Sequence, residues 1–267
     1  MKIWRYLTKE KFIWLLADKG IFLGSASAQS DSREGIYDHT HPRKLVEAQP
    51  EKYIPGQLLS HTKIDLSTLD NLSEKIMQIS RETQYISSWF AGDNESEEMW
   101  RNYASDGVAI ISTDVLMSNT PQPIKIATTM GLVKYSSDNK KTEIHSPLTL
   151  KDDEFSHENE FRIIFNPQKF STYTGYKPEK FYTSFFGDTK SSESEAMTNS
   201  IDTKQVNKAI KFIREKDYGY LFLYPLEKII TEIRINPYCT AEQKKELESI
   251  IRNAGLTIPV VKSEINK

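Results

Sequence analysis

The sequence predicts a mixed α+β fold, in which mainly antiparallel strands form the sheet and the helices lie at its periphery. Strand-like and helix-like segments are interspersed along the chain without the regular alternation of a doubly wound sheet. Aromatic residues make up 11% of the 267 residues, which is enough for a sizeable core. No internal repeat of about 20 to 50 residues is visible. We therefore expect a single domain over residues 1–267.

The first half of the chain begins with a strand, a helix and a strand. Thr8 is placed to cap the first helix and Gly20 to end it. Residues 29–60 show little periodicity, whereas an apolar repeat predicts a helix over residues 66–81. A further helix is expected to carry Tyr103 on its inner face. Strands are predicted at residues 3–7, 21–24, 85–90 and 108–112.

The second half contains shorter elements and one long polar stretch. Gly131 is expected to separate two strand-like pieces, and Thr240 caps a helix that Gly255 ends. The low-complexity stretch at about 187–205 is expected to be a mobile polar insertion. Strands are predicted at residues 124–129, 131–135, 160–165, 220–223, 229–235 and 257–261.

The charges of the chain nearly cancel, with 35 Lys and Arg against 37 Asp and Glu. This balance and the aromatic content exclude the disordered class, and a pI near 6.3 argues against bulk electrostatic attraction to nucleic acid. The single cysteine, Cys239, fits a reducing compartment. Asp18 and Lys19 interrupt a signal-like apolar run, and no stretch approaches the roughly 18 apolar residues of a membrane span. We expect a cytoplasmic protein without a membrane partner.

The common motifs for cofactors and metals are missing from the sequence. There is no phosphate-cradling glycine-rich loop, no H-E-x-x-H and no G-x-S-x-G. His39 and His41 form a pair without a third ligand at a readable spacing, whereas zinc sites use three or four ligands. We therefore predict no metal site.

The acidic start of the strand predicted at 160–165 is the most informative segment. Alternate residues of a strand share a face, so Glu158, Glu160 and Arg162 are expected to point the same way. Two carboxylates and a guanidinium on a core-forming strand are costly unless they are paired or functional. A solvated, salt-bridging edge strand is the competing interpretation.

Two further segments place polar groups within apolar strands. Ser87 and Ser88 precede Trp89, and these hydroxyls either bind a ligand beside a stacking ring or merely satisfy neighbouring backbone groups. Arg5, next to Tyr6, alternates with apolar residues and is either a structural ion-pair partner or a bidentate anion clamp. The acids available to pair with this arginine are Asp31, Glu34, Glu158 and Glu160.

The order of these segments resembles that of a large bacterial domain-of-unknown-function family, whose members are often found near phage-defence genes. The resemblance extends from about residue 3 to residue 261, and the Met-Trp-x-x-Tyr and Glu-x-Glu-x-Arg pieces carry most of its specificity. The matching pieces are Arg5-Tyr6, Asp31-x-x-Glu34, Ser88-Trp89, Met99-Trp100-x-x-Tyr103 before Gly107-Val108, and Glu158-x-Glu160-x-Arg162.

The order of arginine, serine and Glu-x-Glu is also similar to that of the Arg–Ser–Glu class of mono-ADP-ribosyltransferase toxins. This resemblance implies an ADP-ribosyltransferase-like fold and NAD as the donor substrate. It implies that Glu160 stabilises a transition state resembling an oxocarbenium ion. Glu158 would accept the proton of the incoming nucleophile.

The same resemblance implies the residues that hold NAD. Arg5 would clamp the phosphates, and an aromatic ring, Trp89 or Tyr6, would stack on nicotinamide. Ser88, with Ser87 as the alternative, would orient the ribose or hold the catalytic glutamate. The toxins usually show Ser-Thr-Ser where this chain has Ser-Ser-Trp, so either serine fits.

The implied function is an intracellular toxin or phage-defence effector that modifies a protein or nucleic acid and is neutralised by an antitoxin. Two alternatives stay open. A metal-dependent nuclease would bind cations through Asp31, Glu34, Glu158 and Glu160. Against it, no lysine is placed beside the acid pair, and Arg162 would repel a cation. The other alternative is a non-catalytic sensor or partner-binding module, in which the charged strand is a structural network.

Overall fold

The sheet at the centre of the molecule divides in two at one of its strands. The computed structural model describes residues 1–29, 35–36, 40–53, 66–115, 120–136, 147–178 and 203–265. Its strands are β1 (Lys2–Leu7), β2 (Ile21–Ser25), β3 (Tyr85–Ala91), β4 (Val108–Thr113), β5 (Thr128–Leu132), β6 (Lys134–Tyr135), β7 (Leu150–Lys151), β8 (Glu160–Phe165), β9 (Ile213–Lys216), β10 (Gly219–Phe222), β11 (Glu232–Ile235) and β12 (Val260–Val261).

The helices connect these strands and cover the sheet. Side-chain caps begin several of them, as where Thr8 accepts a hydrogen bond from the N–H of Lys11. The α-helices are α1 (Lys9–Asp18), α2 (His41–Ala48), α3 (Pro50–Tyr53), α4 (Ser67–Thr83), α5 (Glu97–Tyr103), α6 (Gln122–Ile126), α7 (Pro167–Thr174), α8 (Thr203–Phe212), α9 (Leu226–Ile229) and α10 (Ala241–Asn253). Short 3₁₀ turns lie at Ala26–Ala28, Pro147–Thr149 and Asp153–Glu158.

Strand β3 has three neighbours, and this causes the division of the sheet. Strand β8 pairs antiparallel with one edge of β3 from Tyr85 to Phe90. On the opposite edge, β2 pairs with the first two residues of β3 and β1 with the last two. Of the described strands, none pairs with residues 87–89 on that edge, and we call this place the fork.

Two branches leave the fork. One contains β1, β4, β11 and β12, and the other contains β2, β10 and β9, while β8 and β5 extend the sheet on the far side of β3. Within the main sheet of the described residues, all pairs are antiparallel except β11 with β12. Strands β6 and β7 form a separate parallel ladder.

The two faces of the sheet bury different apolar clusters. On the face that carries Trp89, which we call the inner face, one large cluster joins residues of both branches with helices α1 and α10. The opposite, outer face carries Phe90 and has two smaller clusters, one around Trp100 and one around Ile86 and Ile164. Each fully buried large apolar side chain contributes about 1.5–3 kcal/mol. The charged side chains of β8 lie on the outer face, between the two smaller clusters.

The described residues confirm a mixed α+β fold with a mainly antiparallel sheet and helices around it. The glycine predicted to end α1 has another role. Lys19 takes the left-handed conformation there, with φ of 51°. A Cβ at Gly20 would lie 2.7 Å from the carbonyl oxygen of Phe222, so the close approach of β10 requires glycine.

Several details of the second half differ from the prediction, among them the strand predicted at 229–235, which begins only at Glu232. Residues 122–126 are helical, because Pro123 suits a first helical turn. Gly131 does not break a strand, since β5 continues through it and pairs it with Arg162. Helix α7 was not predicted, although Asn166 followed by a proline is typical of the start of a helix. Of the predicted insertion, residues 187–202 lie outside the described residues, and the last three residues begin α8.

Among the residues that the structure describes, no helix has the length and apolar character needed to cross a membrane.

Candidate active site

The structure confirms the strand predicted at residues 160–165, but only one of the two acids lies on it. Strand β8 starts at Glu160, and Glu158 ends the 3₁₀ turn before it. Asn159 lies between them with a φ of 35°, in the left-handed region that asparagine tolerates, and its side chain donates to the carbonyl oxygen of Ala91. The expectation that both acids alternate along one strand is wrong. The turn nevertheless brings the two carboxylates together.

Four buried charged side chains meet on the outer face, and we call them the charged cluster: Lys151, Glu158, Glu160 and Arg162. Arg162 donates from Nη2 to Glu160 Oε2 at 2.7 Å and from Nη1 to the carbonyl oxygen of Leu148 at 2.5 Å. Lys151 Nζ lies 2.5 Å from Glu158 Oε2 and 3.7 Å from Glu160 Oε2. The two positive and two negative charges balance, as burial of ions requires.

Lys151 is the member of the charged cluster that sequence reasoning missed. It belongs to β7, which pairs with β6 and lies outside the main sheet. Its ammonium is 4.5 Å from the centre of the Phe155 ring. The statement that no lysine stands beside the acid pair is therefore wrong. Lys151 lies outside every motif, and its separation of seven residues from Glu158 gave no periodic signal.

Two motifs of the sequence meet at Glu158. Tyr103 ends α5, and its hydroxyl donates to Oε1 of Glu158 at 2.5 Å. The sequence placed Tyr103 on the inner face of its helix, but 39% of this residue is exposed because it lies past the core, at the helix end. Burial of the hydroxyl and its bond to Glu158 raise the pKa of Tyr103. This side chain joins the surface to the charged cluster.

Of the two adjacent serines, Ser88 belongs to this site. It lies opposite Arg162 in the β3–β8 pairing, on the same face as Glu160. Burial alone would raise the pKa of Glu160, but both cations of the charged cluster and the nearby Ser88 hydroxyl lower it below its ordinary value. Ser87 instead lies buried on the inner face, where it accepts a hydrogen bond from Trp89 Nε1 at 3.1 Å.

Arg5 lies at the fork and contacts the strands on both sides of it. Its Nη2 donates to the carbonyl oxygen of Phe22 on β2 at 3.1 Å, and its guanidinium carbon is 5.7 Å from the centre of the Trp89 ring on β3. Its Nη1 is buried and has no hydrogen-bond partner among the described residues. Burial lowers the pKa of Arg5 to about 10.

The strand register divides the predicted site residues between the two faces of the sheet. Cross-strand partners share a face, and neighbours along a strand alternate. Arg5 alternates with Tyr6, which packs on the outer face, so the predicted convergence of Arg5 with Glu160 on one face is not observed. The inner face carries Arg5, Ser87 and Trp89, and the outer face carries Tyr6, Ser88, Glu158 and Glu160.

Tyr6 is a packed side chain and not an open stacking ring. It is buried against Trp100, with ring centres 5.0 Å apart, and its hydroxyl accepts the N–H of Ser96 at 2.9 Å. Three other residues singled out in the sequence, Asp31, Glu34 and His39, lie outside the described residues. Within the described ranges, no group of three or more His, Cys, Asp or Glu side chains is arranged to hold a metal ion.

Comparisons of the chain with protein-family models, with curated proteins and with solved structures find no match. The two resemblances carried by the motifs therefore stay predictions, and a function has to be proposed from the geometry of the site.

The outer-face site combines three chemical capabilities. The carboxylate of Glu160 is paired with Arg162 and lies near Lys151, so that it stays ionised in a buried position. The second carboxylate, on Glu158, is close enough to share Lys151 with the first. Tyr103 is partly exposed to solvent, and its hydroxyl donates to that second carboxylate. Such a pair can stabilise a developing cation and accept a proton.

Proposed function

We propose that the chain is an NAD-dependent ADP-ribosyltransferase whose reacting groups are the acid pair on the outer face. The observation that carries the proposal is the placement of two buried carboxylates, Glu158 and Glu160, around the ammonium of Lys151, on the face that also carries Ser88. A serine that orients one acid, with a second acid next to it, is the arrangement that the toxin resemblance implies. The order of the motifs in the sequence supports the same proposal.

In the proposed reaction, nicotinamide leaves with the electron pair of its bond to ribose. Positive charge develops on the sugar, and the ionised Glu160 stabilises it in a site of low dielectric. The acceptor nucleophile then bonds to the same carbon, and its proton passes to Glu158. Tyr103 lies at the exposed edge of Glu158, so the acceptor would approach past this ring.

The proposal differs in one respect from the roles that the toxin resemblance implies. Arg5, Ser87 and Trp89 lie on the inner face, so we place none of them in contact with the reacting ribose. The acceptor is a protein or a nucleic acid. The biological role that follows is that of a cytoplasmic toxin or phage-defence effector, held in check by an antitoxin.

The test is transfer of label from NAD. We expect purified protein, incubated with labelled NAD and cell lysate, to release nicotinamide and to label protein or nucleic acid. Glu160→Gln should reduce nicotinamide release by about 100-fold or more, since the lost charge stabilised the transition state. Glu154→Gln is a matched control, because Glu154 is an exposed acid in the turn that ends at Glu158. No release and no label from the wild-type protein would overturn the proposal.

A non-catalytic module is the second candidate, and one observation favours it. All four members of the charged cluster are buried and ion-paired with one another, as a structural network would be. This candidate predicts that Glu160→Gln destabilises the protein and that neither wild type nor variant consumes NAD. Chelation separates both candidates from a metal-dependent nuclease, because NAD chemistry of this type survives EDTA.

A further inference from the structure

The proposed reaction uses neither cation of the charged cluster directly. One of them, Lys151, lies between the two acids. Lys151 Nζ is 2.5 Å from a carboxylate oxygen of Glu158 and 3.7 Å from one of Glu160. Arg162 is paired with Glu160 at 2.7 Å. All four side chains are buried, so that water does little to screen them.

Two carboxylates held this close in a buried site repel each other. Without a compensating cation, one of them keeps a proton, and the two acids titrate as a coupled pair. The proposed reaction needs both in the ionised form, Glu160 to stabilise a cation and Glu158 to accept a proton. Arg162 balances one of the two negative charges, so a second cation is required.

We propose that Lys151 is a positioning residue that keeps the acid pair doubly ionised, with Phe155 fixing its ammonium between the carboxylates. The role in transfer rests on the proposed function, whereas the charge balance itself does not. Lys151 comes from β7, outside the main sheet, and the ring of Phe155 lies 4.5 Å from its ammonium. The contact is of the cation–π type, which strengthens when water is excluded.

Other groups around the acid pair do not supply this charge. Burial first, and then the nearby acids, raise the pKa of Tyr103, and burial raises that of Tyr135 to about 12, so both stay neutral around pH 7. His157 lies at the rim, 3.7 Å from Glu98. The groups facing the pair are Ser88 on β3, Glu98 and Tyr103 on α5, Tyr135 on β6, Lys151 on β7, His157 in the 3₁₀ turn and Arg162 on β8.

The test measures how stability depends on pH after the cation is removed. In Lys151→Met, one negative charge of the cluster is unbalanced, and the acid pair binds about one more proton in the folded than in the unfolded state. The contribution of this extra proton to the stability of the variant is present at low pH and is lost as pH rises. We expect its folding equilibrium constant to fall about tenfold per pH unit, relative to wild type, between the pH at which the unfolded acids ionise and the higher pH at which the folded pair loses its extra proton.

Three variants control the measurement, each followed by urea unfolding between pH 5 and 9. Lys134→Met removes an exposed lysine from the partner strand β6 and should leave the pH dependence of wild type. Lys151→Arg keeps the cation and should do the same. The double variant Lys151→Met with Glu158→Gln restores the charge balance and should lose the added pH dependence.

Two results would overturn the inference. One is a Lys151→Met protein whose pH dependence equals that of Lys134→Met. If Lys151→Met does not fold at pH 8, the double variant decides: recovered folding supports the charge balance, and continued failure to fold contradicts it.

Activity provides a separate readout. With an active wild type, transfer by Lys151→Met should have its pH optimum shifted upward, toward the pH at which both acids ionise. An unshifted optimum would contradict the positioning role in transfer. A wild type that releases no nicotinamide overturns the proposed function, while the stability measurement still decides the charge balance at Lys151.

Discussion

The charged cluster and Arg5 compensate a buried charge in opposite ways, although Arg162 of the cluster pairs with the forked strand β3 and Arg5 lies at the fork itself. In the cluster, Arg162 is only 1% exposed, and it is paired with a carboxylate at 2.7 Å. Arg5 donates one hydrogen bond to a carbonyl oxygen and makes a cation–π contact with an indole ring. Among the described residues, no carboxylate is ion-paired with it.

A third arginine shows what pairing does to such a side chain. Arg234, in the branch that contains β1, is ion-paired with Glu95, Glu232 and Glu264. Burial by itself would lower the pKa of Arg234, but these carboxylates raise it above its ordinary value. Burial without such partners lowers the pKa of Arg5 to about 10. The fork thus holds a cation whose charge the described protein does not balance.

The largest expected effect comes from breaking the balance of the charged cluster. Arg162→Met leaves two buried acids with one lysine, and we expect a loss of about 3–5 kcal/mol in the free energy of unfolding, measured with urea at pH 7. The control is Arg101→Met, which removes an exposed ion pair with Glu97 and should cost less than about 1 kcal/mol. Equal losses in the two variants would show that the cluster is not energetically special.

Ser87 and Ser88 provide the next comparison, because their side chains lie on opposite faces of the sheet. Ser87→Ala leaves the buried Nε1–H of Trp89 without its acceptor and should cost about 1–3 kcal/mol. Ser88→Ala should cost about 1 kcal/mol and also raise the pKa of Glu160, because the Ser88 hydroxyl is one of the groups that lower it. Urea unfolding between pH 3 and 7 separates them, since Ser88→Ala alone should change the pH dependence. The same pH profile for both variants would contradict the division between faces.

Acid should weaken the charged cluster before it affects Arg5. The pKa of Glu160 is lowered in the folded protein, so its contribution to stability is present above its unfolded pKa and is lost as pH falls through the folded one. We expect thermal melts from pH 6 to pH 3 to show a smaller loss of stability in Glu160→Gln than in wild type. Glu154→Gln should follow the wild-type curve, because that acid is exposed.

The smallest effect is expected at the fork. Arg5→Met loses one hydrogen bond and a cation–π contact but relieves an uncompensated charge, so we expect a net change within about 1 kcal/mol. Urea unfolding at pH 7, beside Arg162→Met, is the measurement. A loss as large as that of Arg162→Met would contradict the conclusion that the charge of Arg5 is uncompensated.

Much of the fold could be predicted because its signals are local. The apolar repeat of α4, the cap Thr240 of α10 and the alternation in β1 depend on neighbours a few residues away. The errors fall where a short element depends on distant contacts. Gly20 is required by the backbone of β10, some two hundred residues further along the chain, and not by the helix that it follows.

The candidate site was half predictable for the same reason. The Glu-x-Glu-x-Arg spacing identified three members of the charged cluster, and Arg162 is the structural partner that its position suggested. Lys151 carried no motif, because a two-residue strand outside the main sheet brings it to the acids. The division of Arg5 from Glu160 follows from the register between β1, β3 and β8, which no local pattern encodes.

The sequence alone determined which polar residues would be unusual, since a charge within an apolar strand is costly wherever that strand is placed. It also determined the mixed α+β class, through patterns that repeat over a few residues. Only the tertiary structure decided how those charges are compensated. Tertiary contacts brought Lys151, Ser88 and Tyr103 to the acid pair, and the strand register left Arg5 on the opposite face at the fork. Compensation depends on distances between residues far apart in the chain, and folding alone sets those distances.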